Sequence, residues 1–123
     1  MNVNSAAPPC IVDVSREPSS VCVRLSGDAN MNAVKVLGET LADVHARALV
    51  DRCPEVVVDV SRLEFINSTC FKEFLRWIAK VEIVDPSSRY RIRFRYDHRV
   101  AWQKRSLRAL EHFAVGLVTV EGE

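Results

Sequence analysis

At 123 residues, with 48% hydrophobic and 27% charged side chains and a formal net charge of +1, the chain is sized for one domain with its own core. No apolar run approaches the roughly 20 residues of a membrane-spanning helix, and the opening MNVNSAAPPC lacks the basic start and apolar core of a secretory signal. Cys10, Cys22, Cys53 and Cys70 lie far apart, form no C-x-x-C pair and have no His at zinc spacing, so reduced thiols in a cytoplasmic protein are expected, without metal or cofactor.

Residues 1–10, with Pro8-Pro9 and no periodicity, read as a flexible lead to a single domain over 11–123. Two short alternating strands follow. The first, over 11–15, sets Val12 and Val14 against Asp13; the second, over 21–26, sets Val21, Val23 and Leu25 against Cys22 and Arg24. With a turn at Pro18 between them they predict a hairpin that has one covered face. Gly27-Asp28-Ala29-Asn30 predicts the end of the second strand, and Asn30 or Asn32 a helix cap. The helix itself shows an apolar stripe of Val34, Leu37, Leu41, Val44 and Ala48. Its outward face mixes Lys35, Glu39, Asp43 and Arg47, and Pro54 lies just beyond its end.

The stretch EVVVDVSRLEFINSTCFKEFLRWIAK, residues 55–80, organises the rest of the chain. Its β-branched run over 56–60 predicts a central strand buried on both faces. Phe71, Phe74, Leu75, Ile78 and Ala79 recur at helical spacing and predict a helix over about 68–81. Between the two stand Asn67, Ser68 and Thr69, small polar residues of the kind that cap helices. A hydroxyl at that helix N-terminus meets unpaired N–H groups and a positive dipole, which favour an anion such as phosphate.

Over 89–96, Tyr90, Ile92, Phe94 and Tyr96 alternate with Arg89, Arg91, Arg93 and Arg95, predicting a strand with one apolar and one basic face. A helix over 100–113, with Trp102, Leu107, Leu110 and Phe113, and a strand over 117–121 complete the order β-β-α-β-α-β-α-β. That order implies a single α/β domain with a mixed, mostly parallel sheet of about five strands and three or four helices. From 89 to 108, eight basic residues meet one acid, Asp97. A solvated face explains them; an acidic protein partner is the next candidate, and nucleic acid the third, because no aromatic residue shares the arginine face. Trp77, on a helical row with Cys70, Phe74 and Val81, is expected at the margin of the core, where it serves a docking surface. His45, His98 and His112 share no spacing and read as surface or helix-end residues.

In this order the elements resemble a STAS domain, the family of anti-sigma-factor antagonists and of the cytoplasmic tails of sulfate transporters. Two motifs carry the resemblance, which spans about 11–120: Ser26-Gly27-Asp28-Ala29-Asn30, similar to the family's Gly-Glu-x-Asp, and Asp59-Val60-Ser61 through Phe65-Ile66-Asn67-Ser68-Thr69, similar to its strand followed by Asp-Ser-Ser/Thr-Gly. The resemblance implies a bacterial, cytoplasmic, non-catalytic switch in transcriptional signalling. In that family a serine at the start of the second helix is phosphorylated by a partner serine kinase that doubles as an anti-sigma factor, and a PP2C-type phosphatase reverses it. The acceptor falls on Ser68, with Thr69 second. Gly27, Asp28 and Asn30 are implied near the same partner-binding surface, with Asn67, Thr69, Cys70 and Lys72 around the serine. Asn67 stands where the family usually has Asp. Cys70 replaces Gly, in a place to crowd an incoming kinase. Two other readings stay open. One is a constitutive docking subunit of an ATPase, transporter or larger signalling complex, with Ser68 a plain cap; the other is a small thiol-dependent enzyme using Cys70, for which no paired base is evident.

Overall fold

The valine-rich run forms the middle strand of the sheet. In the computed structural model, which describes residues 9–123, the strands are β1 (Ile11–Glu17), β2 (Ser20–Ala29), β3 (Glu55–Ile66), β4 (Arg91–Tyr96) and β5 (Val118–Gly122). The helices are α1 (Val34–Val50), preceded by a 3-10 turn at Met31–Ala33, α2 (Ser68–Glu82) and α3 (Ala101–Phe113). Residues 1–8 of the expected flexible lead lie outside the described residues, while Pro9 already bridges to Asp28.

The sheet order is β1-β2-β3-β4-β5, with β1 antiparallel to β2 and every other pair parallel. The fold class is therefore the one that the element order implies. One face presents Val23, Val58 and Phe94, all fully buried, in one core with Leu37 and Leu41 of α1, Phe74 and Ile78 of α2, and Leu107 and Leu110 of α3. Each such side chain withdraws enough apolar area to contribute about 1.5–3 kcal/mol. Helices α1 and α2 approach closely at Gly38, where a Cβ would stand 2.6 Å from Glu73 Oε1.

The other face differs from expectation. Its cross-strand rows are Ser15, Cys22, Val57, Arg93 and Thr119, then Asp13, Arg24, Asp59, Arg95 and Glu121. Val57 and Cys22 are buried there although the three helices belong to the opposite core. They floor a hollow lined by Arg24, Arg93 and Arg95, whose aliphatic stems help to bury this second face of the valine strand. Nor is the arginine ladder merely solvated. Arg93 bonds Glu55 through two nitrogens (3.0 and 3.2 Å) and Glu121 at 2.9 Å, and Arg95 reaches Glu121 at 3.3 Å.

Two further differences bear on the site. Strand β2 does not end at Gly27 but runs to Ala29 through register shifts against β3 at Arg24/Ser26 and Gly27/Asp28. Gly27 takes φ of 86°, which glycine adopts without strain. Each shift adds a residue to β3 and reverses which face its side chains take, so Val60 and Leu63 are both buried while Phe65 turns out. Buried Gln103 of α3 secures this bulged end: its Nε2 donates to the carbonyls of Val60 and Leu63 (2.8 Å each), and its Oε1 accepts from Asp97 N (2.8 Å).

Candidate functional site

Strand β3 stops at Ile66 because Asn67, extended at φ −82° and ψ 166°, turns its side chain onto the next helix. Asn67 Oδ1 accepts the Cys70 N–H at 2.8 Å, and the Asn67 N–H donates to Ala29 O at 3.0 Å. Cys70 Sγ, fully buried, donates to Asn30 O at 3.3 Å, and Asn30 Oδ1 accepts the Asn32 N–H at 2.9 Å. These bonds hold the ends of β2 and β3 side by side, so Asp28, Asn30, Asn67, Ser68 and Cys70 come together. Gly27 pairs with Leu63 and is itself buried. One oxygen of Asp28, Oδ1, is buried without a hydrogen-bond partner among the described residues.

The cap of α2 is Asn67, not Ser68. Ser68 is the first helical residue, exposed, and its hydroxyl makes no hydrogen bond among the described residues. The N–H groups of Ser68 and Thr69 belong to the first turn and have no intrahelical acceptor. Thr69 is half-buried. Lys72 is exposed and stands four residues on from Ser68, so the two are neighbours on the helix surface.

Two residues expected on the partner surface are instead in the core. Trp77 is 2% exposed; its Nε1 donates to the Tyr90 hydroxyl at 2.7 Å, and its ring packs on Tyr90 and Phe94. Cys70 is enclosed and aimed at Asn30, so it cannot crowd a molecule arriving at Ser68. Burial, then the neighbouring Cys10 and Glu73, push the Cys70 thiol up to about 11, the opposite of what a nucleophile requires. Among the described residues no group of three His, Cys, Asp or Glu side chains is placed to hold a metal ion.

Met31 and Phe65, which the sequence did not single out, are exposed at this end of the sheet, at 63% and 49%. Phe65 pairs with Asp28 across the strands, and Met31 follows Asn30 directly. Only the two register shifts place Phe65 outward, and no periodicity in the sequence signals a bulge. His45, read from the sequence as a surface or helix-end residue, is instead half-buried in the middle of α1. Its Nδ1 lies 2.8 Å from the Tyr90 hydroxyl, joining α1 to α2 through Trp77.

The sequence matches no protein-family model and no curated protein. Solved structures do resemble it. An anti-sigma factor antagonist from Mycobacterium paratuberculosis superposes with a TM-score of 0.63 at 17% identity, covering 87% of this chain and 84% of that one. The Bacillus cell fate determinant SpoIIAA in its phosphorylated form gives 0.57 at 15% identity, covering 92% and 93%. The anti-sigma factor antagonist SpoIIAA in its unphosphorylated form gives 0.51 at 17% identity, covering 69% and 72%. With the same α/β architecture over most of its length, this chain has the STAS-type fold of the anti-sigma-factor antagonists.

Proposed function

We propose that this chain is a cytoplasmic regulatory module that binds a protein partner, with affinity set by phosphorylation of Ser68. The observation that carries this is the Ser68 hydroxyl: exposed, without a hydrogen bond among the described residues, and relieved of capping duty by Asn67. A phosphate there adds about −1.5 to −2 charge at neutral pH. The helix dipole, the free first-turn N–H groups and the nearby Lys72 all favour that charge, so the fold tolerates it. Its effect falls on the surface, where a bulky dianion sits on the same end of the sheet as exposed Met31 and Phe65. The reading gains support from SpoIIAA, a protein of this fold with a phosphorylated and an unphosphorylated form. By analogy the partner is a serine kinase acting as an anti-sigma factor, and a PP2C-type phosphatase restores the free hydroxyl.

The test is quantitative co-purification from the native cell with Ser68→Asp and Ser68→Ala as paired baits. A switch predicts at least one protein whose recovery differs between the two. Identical partners at identical yield would instead mark a constitutive docking subunit.

A further inference from the structure

The basic third of the chain divides into two parts. Between Arg89 and Arg108, Arg93, Arg95 and Arg99 are ion-paired to acids, and Arg89 donates to the carbonyls of Glu82 and Val84. Among the described residues Arg91, Lys104, Arg105 and Arg108 are in no ion pair, and the last three share α3. We propose that the outward face of α3 is a docking surface for an acidic segment of a partner protein, in addition to the surface around Ser68.

The other helices of the same molecule show what a solvated face looks like here. Helix α1 interleaves Lys35, Glu39, Asp43 and Arg47, and α2 places Glu73 3.2 Å from Arg76. Helix α3 forms no ion pair among the described residues, although Glu111 stands three residues on from Arg108. Lys104, Arg105, Arg108 and His112 are all exposed, with Glu111, half-buried, its one acid. Arg108 stands four residues from Lys104 and three from Arg105, spacings at which like charges repel. Lys104 and Arg105 lie toward the positive end of the helix dipole, and the first turn contains no acid to offset them. The face thus works against its own helix until an acidic group arrives.

Shape and extent fit a protein segment. Lys104 to His112 covers about 12 Å of helix, close to the length of two turns of a partner helix. Ala109, exposed beside Arg108, adds no bulk there, and Phe113 and Val115, 50% and 83% exposed, lie near the C-terminal end of the helix. Three unpaired cations neutralise only about three phosphates, few for a stable nucleic-acid complex at physiological salt. Leu107 and Leu110 of α3 are committed to the core, and Phe113 is its one exposed large apolar residue, too little for an apolar face that enters a bilayer.

The experiment measures binding of the full chain to a fluorescent helical peptide with Glu repeated at four-residue spacing and a terminal Leu. A single-stranded DNA oligonucleotide and vesicles of phosphatidylserine and phosphatidylcholine serve as competing classes. Peptide binding should fall with added salt and weaken about tenfold in the Lys104→Gln/Arg105→Gln/Arg108→Gln variant, as expected for three surface charge pairs. Arg91→Gln and Ser68→Ala should bind as the parent does, so that loss of the α3 surface is distinguishable from failure of the Ser68 switch. The triple variant should melt no lower than the parent, because it removes like-charge repulsion. Absent peptide binding, equal binding by parent and triple variant, or tighter binding of DNA or vesicles through the same three residues would each overturn the proposal.

Discussion

Asn67 Oδ1 accepts the backbone N–H of Cys70 at 2.8 Å, and that bond separates two roles that lie side by side in the sequence. Capping belongs to Asn67, which leaves Ser68 available. Asn67→Ala should therefore cost about 1 kcal/mol (range about 0.5–2), and Ser68→Ala less than about 0.5 kcal/mol. Urea unfolding of the two variants checks this; a larger loss for Ser68→Ala would return the cap to the serine.

Gln103 offers a sharper stability test. Its amide satisfies the carbonyls of Val60 and Leu63 and the N–H of Asp97. Gln103→Leu fits the space but leaves those backbone groups without their partner, at a cost of about 2–4 kcal/mol. Equilibrium unfolding should show that loss; a near-neutral change would mean the bulged end of β3 re-forms its bonds another way.

The prediction for pH concerns His45. The Tyr90 hydroxyl accepts from Trp77 Nε1, which only donates, and keeps a proton that a neutral His45 can accept at Nδ1, 2.8 Å away. Burial first, and then Lys80, hold the His45 pKa below the ordinary value of 6.5. On acidification the unfolded chain thus takes up this proton before the folded one does. The contribution of His45 is complete above about pH 6.5 and is lost as the pH falls toward the lowered folded value. Melting temperatures from about pH 7.5 down to about pH 5 should fall more for the parent than for His45→Gln, which keeps an acceptor but does not titrate. Parallel curves would show that His45 does not couple protons to folding.

On the open sheet face, Arg93 and Arg91 should behave differently. Arg93→Gln breaks pairs with Glu55 and Glu121, both partly screened by solvent, and should cost up to about 1 kcal/mol at low salt and less at high salt. Arg91→Gln, exposed and in no ion pair among the described residues, should stay within about 0.5 kcal/mol. Equal effects would mean that the cross-strand pairs contribute nothing.

Much of this architecture was legible because it follows from local periodicity. The alternation of Ile92, Phe94 and Tyr96 with arginines and the stripe from Leu37 to Ala48 each specify a buried side with no reference to the rest of the chain. Helix α2 was harder. Its residues allow two overlapping apolar arcs, one through Phe71, Leu75 and Ala79 and one through Cys70, Trp77 and Val81. The second is buried and Ala79 is exposed. Partners distant in sequence decide between the arcs: Tyr90 receives the Trp77 N–H, and Phe94 meets its ring. At the site, the meeting of strand and helix at Ser68 was readable from residues 55–80 alone. The outward turn of Phe65 was not, because it depends on two register shifts between β2 and β3.

The most direct test of the switch is phosphosite mapping by mass spectrometry on protein purified from its native cell under several growth conditions, alongside Ser68→Ala and Thr69→Ala. A phosphate on Ser68 in the parent and in Thr69→Ala, absent from Ser68→Ala, is the predicted result. A phosphate on Thr69, or none under any condition, would contradict it.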